Sequence, residues 1–464
     1  MSRESLFISE NDIASQKQYI NDINTHFSGR LTYHIVTLGC QMNVRDSETL
    51  SGMMRDMGFA QAEKEQADIV LYNTCCVREN AENRALGNVI WLKELKKNHP
   101  DMIIGVCGCM MQEKGVAEHL HAQYPFIDLI FGTHNAYRFP EYLHRILFER
   151  CRVADVVASD GIIAEDLPVM RSEKHSAFVN IMYGCNNFCS YCIVPYVRGR
   201  ERSRRVEDIL SEVRSLKDAG VMEITLLGQN VNSYNGGGSE FANLLRRISD
   251  VGIPRIRFMT SHPKDLSDDL IAAMRDVPNV MPQLHLPVQA GNSEILRRMN
   301  RRYTREHYLD LVNRLRDAVP EIGLTTDIIV GFPGETLEQF EDTMSLVEKV
   351  RYDSAYTFIF SLRRGTAAAS YPDDTPADEK SRRIQRLIDL QQNISQEILD
   401  AQVGKKEIVL VDGQSTRDAG YICGRTPRGH MVNFPGNVEL LGKLVPVQIL
   451  SAGRNTLKGE IIHA

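Results

Sequence analysis

From about residue 31, apolar β-branched runs alternate with segments of helical spacing. YHIVTLGC (33–40), ADIVLYNTC (67–75) and MIIGVCGC (102–109) read as strands; SETLSGMMRDMGF (47–59) and NRALGNVIWLKELKK (83–97) read as helices between them. Such alternation predicts a parallel sheet with crossover helices. Each apolar run closes on a cysteine, and Cys40, Cys75 and Cys109 are 35 and 34 residues apart. In open parallel sheets ligands sit at the carboxyl ends of the strands. Three units of nearly equal length that each deliver a thiol to that edge bring three thiolates together.

A second alternation begins near 176: AFVNIMYG, EITLLGQN (223–230), RIRFMTSH (255–262), QLHLPVQA (283–290), GLTTDIIVGFPGE (323–335) and SAYTFIFS (354–361). Helical stretches such as VEDILSEVRSLKDAG (206–220) separate them, and a long helix (377–402) closes the region. Six βα units suit an open, partial barrel better than a closed eight-fold one. After 403 come short strands at turn-rich intervals, KEIVLVDG, AGYICGRT, HMVNFPG, LVPVQILSAG and LKGEIIHA, the pattern of a small β-barrel. The expected fold class is α/β in this order: a polar, loosely held extension (1–30), a parallel-sheet α/β domain (31–150), a less patterned connector (151–175), a partial (βα)6 barrel (176–400) and a small β-barrel (401–464).

Composition narrows the function classes. The chain is 43% hydrophobic and 25% charged, and no run approaches the ~20 apolar residues of a membrane helix. The N-terminus has no unbroken apolar stretch of the secretory kind, so a cytoplasmic protein without membrane partners is expected. The net charge of −6 argues against general adhesion to nucleic acid. Residues 401–464 reverse that sign, with eight Lys/Arg against five Asp/Glu. A small basic barrel is a common nucleic-acid-binding module, and a solvated surface explains the charge equally well.

The most informative stretch is MYGCNNFCSYCIVPYVRGRERSRR (182–205), where Cys185, Cys189 and Cys192 fall within eight positions at C-x3-C-x2-C. Structural zinc takes four ligands, and a cubane iron–sulfur cluster is normally held by four thiolates. Three protein thiolates leave one iron free to bind a small molecule. The triad also follows the first strand of the barrel-like region, at the face where barrel enzymes place their chemistry. This pattern resembles the radical S-adenosylmethionine fingerprint C-x3-C-x-aromatic-C, with Tyr191 as the aromatic residue. Together with TLGCQMN (37–43), NTCCVREN (73–80) and GVCGCMMQ (105–112), it resembles the methylthiotransferase family over nearly the whole chain from residue 31.

The resemblance implies two four-iron four-sulfur (4Fe-4S) clusters and S-adenosylmethionine. Cys40, Cys75 and Cys109 would hold an auxiliary cluster, and Cys185, Cys189 and Cys192 the S-adenosylmethionine-binding one. The family's N-T-C-x-[VI]-R and G-C-x-x-Q patterns select Cys75 over Cys76 and Cys109 over Cys107; Cys76, Cys107, Cys151 and Cys423 remain as ordinary thiols. The central region would be a radical-SAM core and the last domain a TRAM-type, OB-like RNA-binding barrel. By the same resemblance, one S-adenosylmethionine would methylate a sulfur at the auxiliary cluster, and a second would yield a 5′-deoxyadenosyl radical that activates C2 of N6-dimethylallyladenosine at tRNA position 37. The same scaffold also serves threonylcarbamoyladenosine in tRNA and an aspartate of a ribosomal protein; a non-catalytic iron–sulfur or zinc RNA-binding protein is the reading from another class. Implied partners are the tRNA anticodon stem-loop and an electron donor such as flavodoxin or ferredoxin, with the enzyme a monomer.

Other candidates are less distinctive. Gly228, Gln229 and Asn230 end the second core strand, and by resemblance lie near the methionyl end of S-adenosylmethionine; a simple turn explains them as well. Gln289–Asn292 and Asp327–Glu335 end the fourth and fifth strands, where a nucleoside would pass. His262 and His285 read as structural, since a radical reaction needs no histidine base. FIFSLRRGTAA (358–368) departs from the family's F-x-Y-S-P-R-P-G-T at Phe360, Leu362 and Arg364, while Arg363 keeps its arginine. Arg198, Arg200, Arg202, Arg204 and Arg205 crowd into eight residues, four of them at alternate positions. Clustered charge is usually a solvated face; beside a cluster loop it also suits RNA phosphates.

Overall fold

The structure is a computed structural model that describes residues 7–76, 79–157, 162–415 and 420–462. Val77 and Arg78 of the NTCCVREN motif, and residues 1–6 and 158–161 of the expected extension and connector, lie outside the described residues. The chain divides into two compact units. One comprises residues 1–172, 182–188 and 192–204; the other comprises 173–181, 189–191 and 205–464.

The first unit is built on a six-stranded, all-parallel sheet. Its elements are α1 (Glu10–Phe27), β1 (Thr32–Thr37), α2 (Gln41–Asp56), β2 (Ala60–Gln61), β3 (Ile69–Thr74), α3 (Glu79–Asn98), β4 (Ile103–Gly108), α4 (Val116–Gln123), β5 (Leu129–Phe131), α5 (Phe139–Glu149) and β6 (Val153–Asp155). The strand order is β2-β1-β3-β4-β5-β6. Every residue of β3 and β4 is buried, as helices on both faces of a parallel sheet require. Ile69, Leu71 and Ile103 pack with Met53 and Met54 of α2 and Tyr142 and Leu143 of α5. Val70, Tyr72, Ile104 and Val106 pack on the other face with Val89 and Leu92 of α3 and Leu120 of α4.

Two expectations fail here. Residues 10–27 are not a loose extension: they form α1, capped by Ser9, whose side chain accepts from the Asp12 amide. Ile20, Ile23 and Phe27, spaced by three and four, lay one narrow apolar stripe on the core, and Ile23 is fully buried. That stripe is diluted by polar neighbours, so the segment looks featureless as a string. The expected connector likewise begins as β6, and β5 and β6 are three-residue strands too short to show a periodicity.

In the second unit the six expected core strands form two three-stranded parallel ladders. Arg255–Phe258, Glu223–Leu227 and Ser176–Asn180 make one; Gln283–His285, Gly323–Val330 and Ser354–Ile359 make the other. An isolated bridge pairs Ile256 of the first ladder with Val280, three residues before the first strand of the second. The chain then forms a long helix, Ala377–Asp400, and a closed five-stranded barrel with Val409, Val411, Ile422, Val432, Phe434 and Val447 inside.

The barrel docks on the amino ends of the core strands. Arg255 donates to the carbonyls of Arg425 and Ile408, and Arg257 to those of Thr426 and Pro427 and to the Glu223 carboxylate. Asp353, just before the last core strand, holds Arg428 and His430. Among the described residues no helix is long and apolar enough to cross a membrane.

Candidate functional site

The registers that pair Thr37 with Asn73 and Thr74 with Gly108 align the carboxyl ends of β1, β3 and β4. Cys40, Cys75 and Cys109 follow those ends directly, as their spacing predicts. Gly39 has φ +125°, and a Cβ there would stand 2.5 Å from Cβ and 3.0 Å from Sγ of Cys75. Only glycine lets the two cysteine-bearing turns approach this closely. Asn43, fully buried on the first turn of α2, puts its Oδ1 3.9 Å from Cys40 Sγ and 3.8 Å from Cys109 Sγ. Its amide nitrogen donates to the carbonyls of Leu38 and Thr74, so it ties the ends of β1 and β3 together.

The geometry also separates the neighbouring thiols. Cys107 lies within β4 and joins the core on the other face of the sheet, where burial pushes its thiol up. The Cys109 thiol is lowered, first by its neighbour Cys76 and then, against desolvation, by the Arg198 guanidinium. Metal-ligating cysteine is thiolate, so Cys109 is suited to ligation. Cys76, expected to be an ordinary thiol, is held above its usual value beside Cys109, by that contact and by burial.

The C-x3-C-x2-C loop leaves the short strand Met182–Tyr183. Gly184 has φ +76°, and a Cβ there would meet the Arg200 carbonyl oxygen at 2.1 Å; the Cys185 amide donates to the Gly199 carbonyl. Phe188 takes the left-handed region at φ +46°, under the Arg200 guanidinium. Cys185 and Cys189 are buried and Cys192 half-buried. In the second unit, residues 189–191 are pinned by Ser190, whose amide donates to the Met299 carbonyl and whose hydroxyl donates to that of Arg298. Arg301, buried, lies 3.6 Å from Cys189 Sγ and donates to the Pro287 carbonyl and Tyr303 hydroxyl. Tyr191 is half-buried. Among the described residues no three His, Cys, Asp or Glu side chains converge on a single ion.

The carboxyl ends of the first ladder carry unsatisfied polar groups. Ser261 Oγ and His262 Nε2, beyond the third core strand, are buried without a hydrogen-bond partner. His262 Nδ1 accepts from the Lys264 amide, and burial lowers the ring to about 2, so it is a neutral imidazole with its Nε2–H to offer. Buried donors without a partner are free to meet a polar ligand. Sequence spacing held no signal for this pair. Nearby, Gly228 and Asn230 are buried, Gln229 is half-buried, and Asn230 donates to Asp265.

The arginine run is not a solvent-facing row. Arg198, Arg202 and Arg204 are buried. Arg198 reaches Cys109, Asn43 and Asp46; Arg202 donates to the carbonyls of Arg198 and Arg200; Arg204 makes a forked ion pair with Glu165. The expectation of phosphate contacts therefore does not hold for these three. A four-residue helix, Val194–Val197, and the two-residue strand Arg202–Ser203 break the segment, so alternation never sets a common face. Arg200 and Arg205 are exposed. Arg363 is buried, and its carbonyl accepts from the Thr366 hydroxyl.

Three family patterns match the chain: the Radical SAM superfamily over residues 179–347, the uncharacterized protein family UPF0004 over 32–132, and the TRAM domain over 400–462. Among curated relatives, the tRNA-2-methylthio-N(6)-dimethylallyladenosine synthase of Thermoanaerobacter sp. (strain X514) is 51% identical over 465 residues, with 99% of each chain covered. The synthase of the same name from Acetivibrio thermocellus is 50% identical over 99% of this chain and 98% of its own. The chain belongs to that synthase family. A further member, from Clostridium perfringens strain 13, is 52% identical over 92% of this chain and 97% of its own. Among solved structures, the radical S-adenosylmethionine methyltransferase TsrM from Kitasatospora setae superposes with a TM-score of 0.54 at 14% identity. That match covers 74% of this chain and 75% of TsrM, a likeness of fold alone.

Proposed function

We infer that this chain adds a methylthio group to C2 of N6-dimethylallyladenosine at tRNA position 37, beside the anticodon. The observation that carries the reading is the pair of three-cysteine sets, one on the carboxyl edge of β1, β3 and β4, the other in the loop after the first core strand. A single such set suits a radical reaction, and a second supplies a place for the sulfur. The synthase names of the full-length relatives select the tRNA nucleoside over the threonylcarbamoyl and ribosomal-protein alternatives.

Cys40, Cys75 and Cys109 hold one 4Fe-4S cluster, and Cys185, Cys189 and Cys192 the other. When bound, the clusters and S-adenosylmethionine supply the radical and the methylthio sulfur. Tyr191, Gly228, Gln229, Asn230, Ser261 and His262 orient the S-adenosylmethionine, the last two through their unused polar atoms. Cys75, Cys109, Cys185 and Cys189 are buried, which keeps water from those thiols, whereas Cys40 is exposed. Arg200 and Arg205 contact phosphates, and Arg363 holds its loop in place from within. The anticodon adenosine lies in a single-stranded loop, where a base can be splayed out. The basic C-terminal barrel grips the remainder of the RNA. The enzyme acts as a cytoplasmic monomer reduced by a flavodoxin- or ferredoxin-type donor.

Anaerobic reconstitution should give about eight irons per chain, from two four-iron clusters, together with reductive cleavage of S-adenosylmethionine. In a strain lacking the gene, tRNA nucleoside mass spectrometry should show N6-dimethylallyladenosine in place of its 2-methylthio form. Persistence of the methylthio form overturns the substrate.

A further inference from the structure

Arg198 is a buried cation beside the Cys109 thiol. Its Nε is 3.0 Å from Cys109 Sγ, and its Nη2 is 2.9 Å from Asn43 Oδ1 and 2.8 Å from Asp46 Oδ2. Only 7% of the side chain is exposed, whereas Asp46 is 26% exposed. The guanidinium is also close enough to Cys40 to act on its charge. Its backbone is fixed in the same unit. Ile193 and Val197 sit in the core with Cys109 and Met110, the Val197 carbonyl accepts from Thr133, and the Arg198 amide donates to Val194. Asn43, whose Oδ1 accepts from the guanidinium and lies beside both Cys40 and Cys109, is itself held by two backbone carbonyls. A buried charge of this kind is costly unless it is matched. Asp46 matches it in part, from a more exposed position.

We propose that Arg198 is a positioning residue of the auxiliary cluster. Its Nε–H donates to the Cys109 sulfur, its charge raises the cluster's reduction potential, and Asp46 and Asn43 aim it. The proposal rests on the assignment of Cys40, Cys75 and Cys109 as the ligands. The physical ground is that hydrogen bonds and charge at cluster sulfurs set the potential. An anionic, thiolate-held cluster becomes more negative on reduction, so a fixed cation favours the reduced form. The two neighbours then have opposite signs. Loss of Arg198 lowers the potential, and loss of the Asp46 charge raises it. Because Arg198 is six residues beyond Cys192, the segment that holds one cluster delivers the tuning cation of the other.

The test uses the full chain carrying Cys185→Ala, Cys189→Ala and Cys192→Ala, reconstituted anaerobically with iron and sulfide. Iron content and a redox titration followed by electron paramagnetic resonance are the readouts. About four irons are expected, one cluster's worth; their absence overturns the ligand assignment and the proposal with it. With iron bound, Arg198→Gln should shift the midpoint to more negative potential, Arg198→Lys should recover part of the shift, and Asp46→Asn should move it the other way. A midpoint unchanged in Arg198→Gln, or the same direction of shift in Arg198→Gln and Asp46→Asn, overturns the proposal and leaves the ligand assignment standing. Where Arg198→Gln fails to hold iron, the signs of Arg198→Lys and Asp46→Asn decide.

Discussion

Removing the Asp353 carboxylate should loosen the C-terminal barrel from the core. That carboxylate, 7% exposed, accepts from Arg428 Nε at 2.7 Å and Nη2 at 3.1 Å, from His430 Nε2 at 2.8 Å and from the Leu324 amide at 2.9 Å. Hydrogen bonds to a charged group contribute about 1.5–3 kcal/mol each, without adding fully. Arg428, 20% exposed, regains some water when freed. Asp353→Ala should therefore cost ~3–5 kcal/mol, the range for breaking a buried pair from one side. Asp276→Ala is the control, because the Arg275–Asp276 pair is more than half exposed and should matter by less than about 1 kcal/mol. Urea midpoints followed by circular dichroism measure both, and proteolysis after residue 400 reports barrel release. The pH dependence has a definite sign. Burial pushes the Asp353 carboxyl up, but the bonds from His430 and Arg428 outweigh it and hold the group below its usual value. A depressed carboxylate stabilises above its unfolded value of about 3.9 and loses that contribution as pH falls through the folded value. The gap between wild type and Asp353→Ala should thus narrow below about pH 4. A cost for Asp353→Ala within about 1 kcal/mol of the exposed control refutes the reasoning.

Three further outcomes are expected. Gly39→Ala places a Cβ 2.5 Å from that of Cys75 and should halve the iron of the reconstituted chain, to about four per chain, while cleavage of S-adenosylmethionine persists. Arg200→Gln and Arg205→Gln should each lower the salt slope of tRNA binding by about 0.7; Arg204→Gln should leave the slope alone and lower the urea midpoint, since its partner is Glu165. Ser261→Ala should weaken S-adenosylmethionine binding to the loaded enzyme about three- to tenfold in equilibrium dialysis, the worth of one hydrogen bond, with iron content unchanged.

The parts legible in the sequence are those fixed by local periodicity. A βα unit repeats its length because strand and helix lengths are set by the sheet and its covering layer, so thiols 34 and 35 residues apart reached one edge of β1, β3 and β4. The six core strands and the five barrel strands were visible for the same reason. Segments with a weak local signal were lost: α1, whose three apolar residues matter only against a core, and β5 and β6, which are three residues long.

What the sequence by itself determined is the order of folds, the two sets of three cysteines and the synthase chemistry they support. Only the tertiary structure decided which thiols meet and where each arginine goes. Cys76 and Cys109 are 33 residues apart in sequence and come together only when the strands do. Arg198 and Arg204 look like phosphate contacts in a string of charges. Their partners, Asp46 and Glu165, are 152 and 39 residues away. A charged side chain follows whatever countercharge the fold brings within reach, and periodicity carries no record of that.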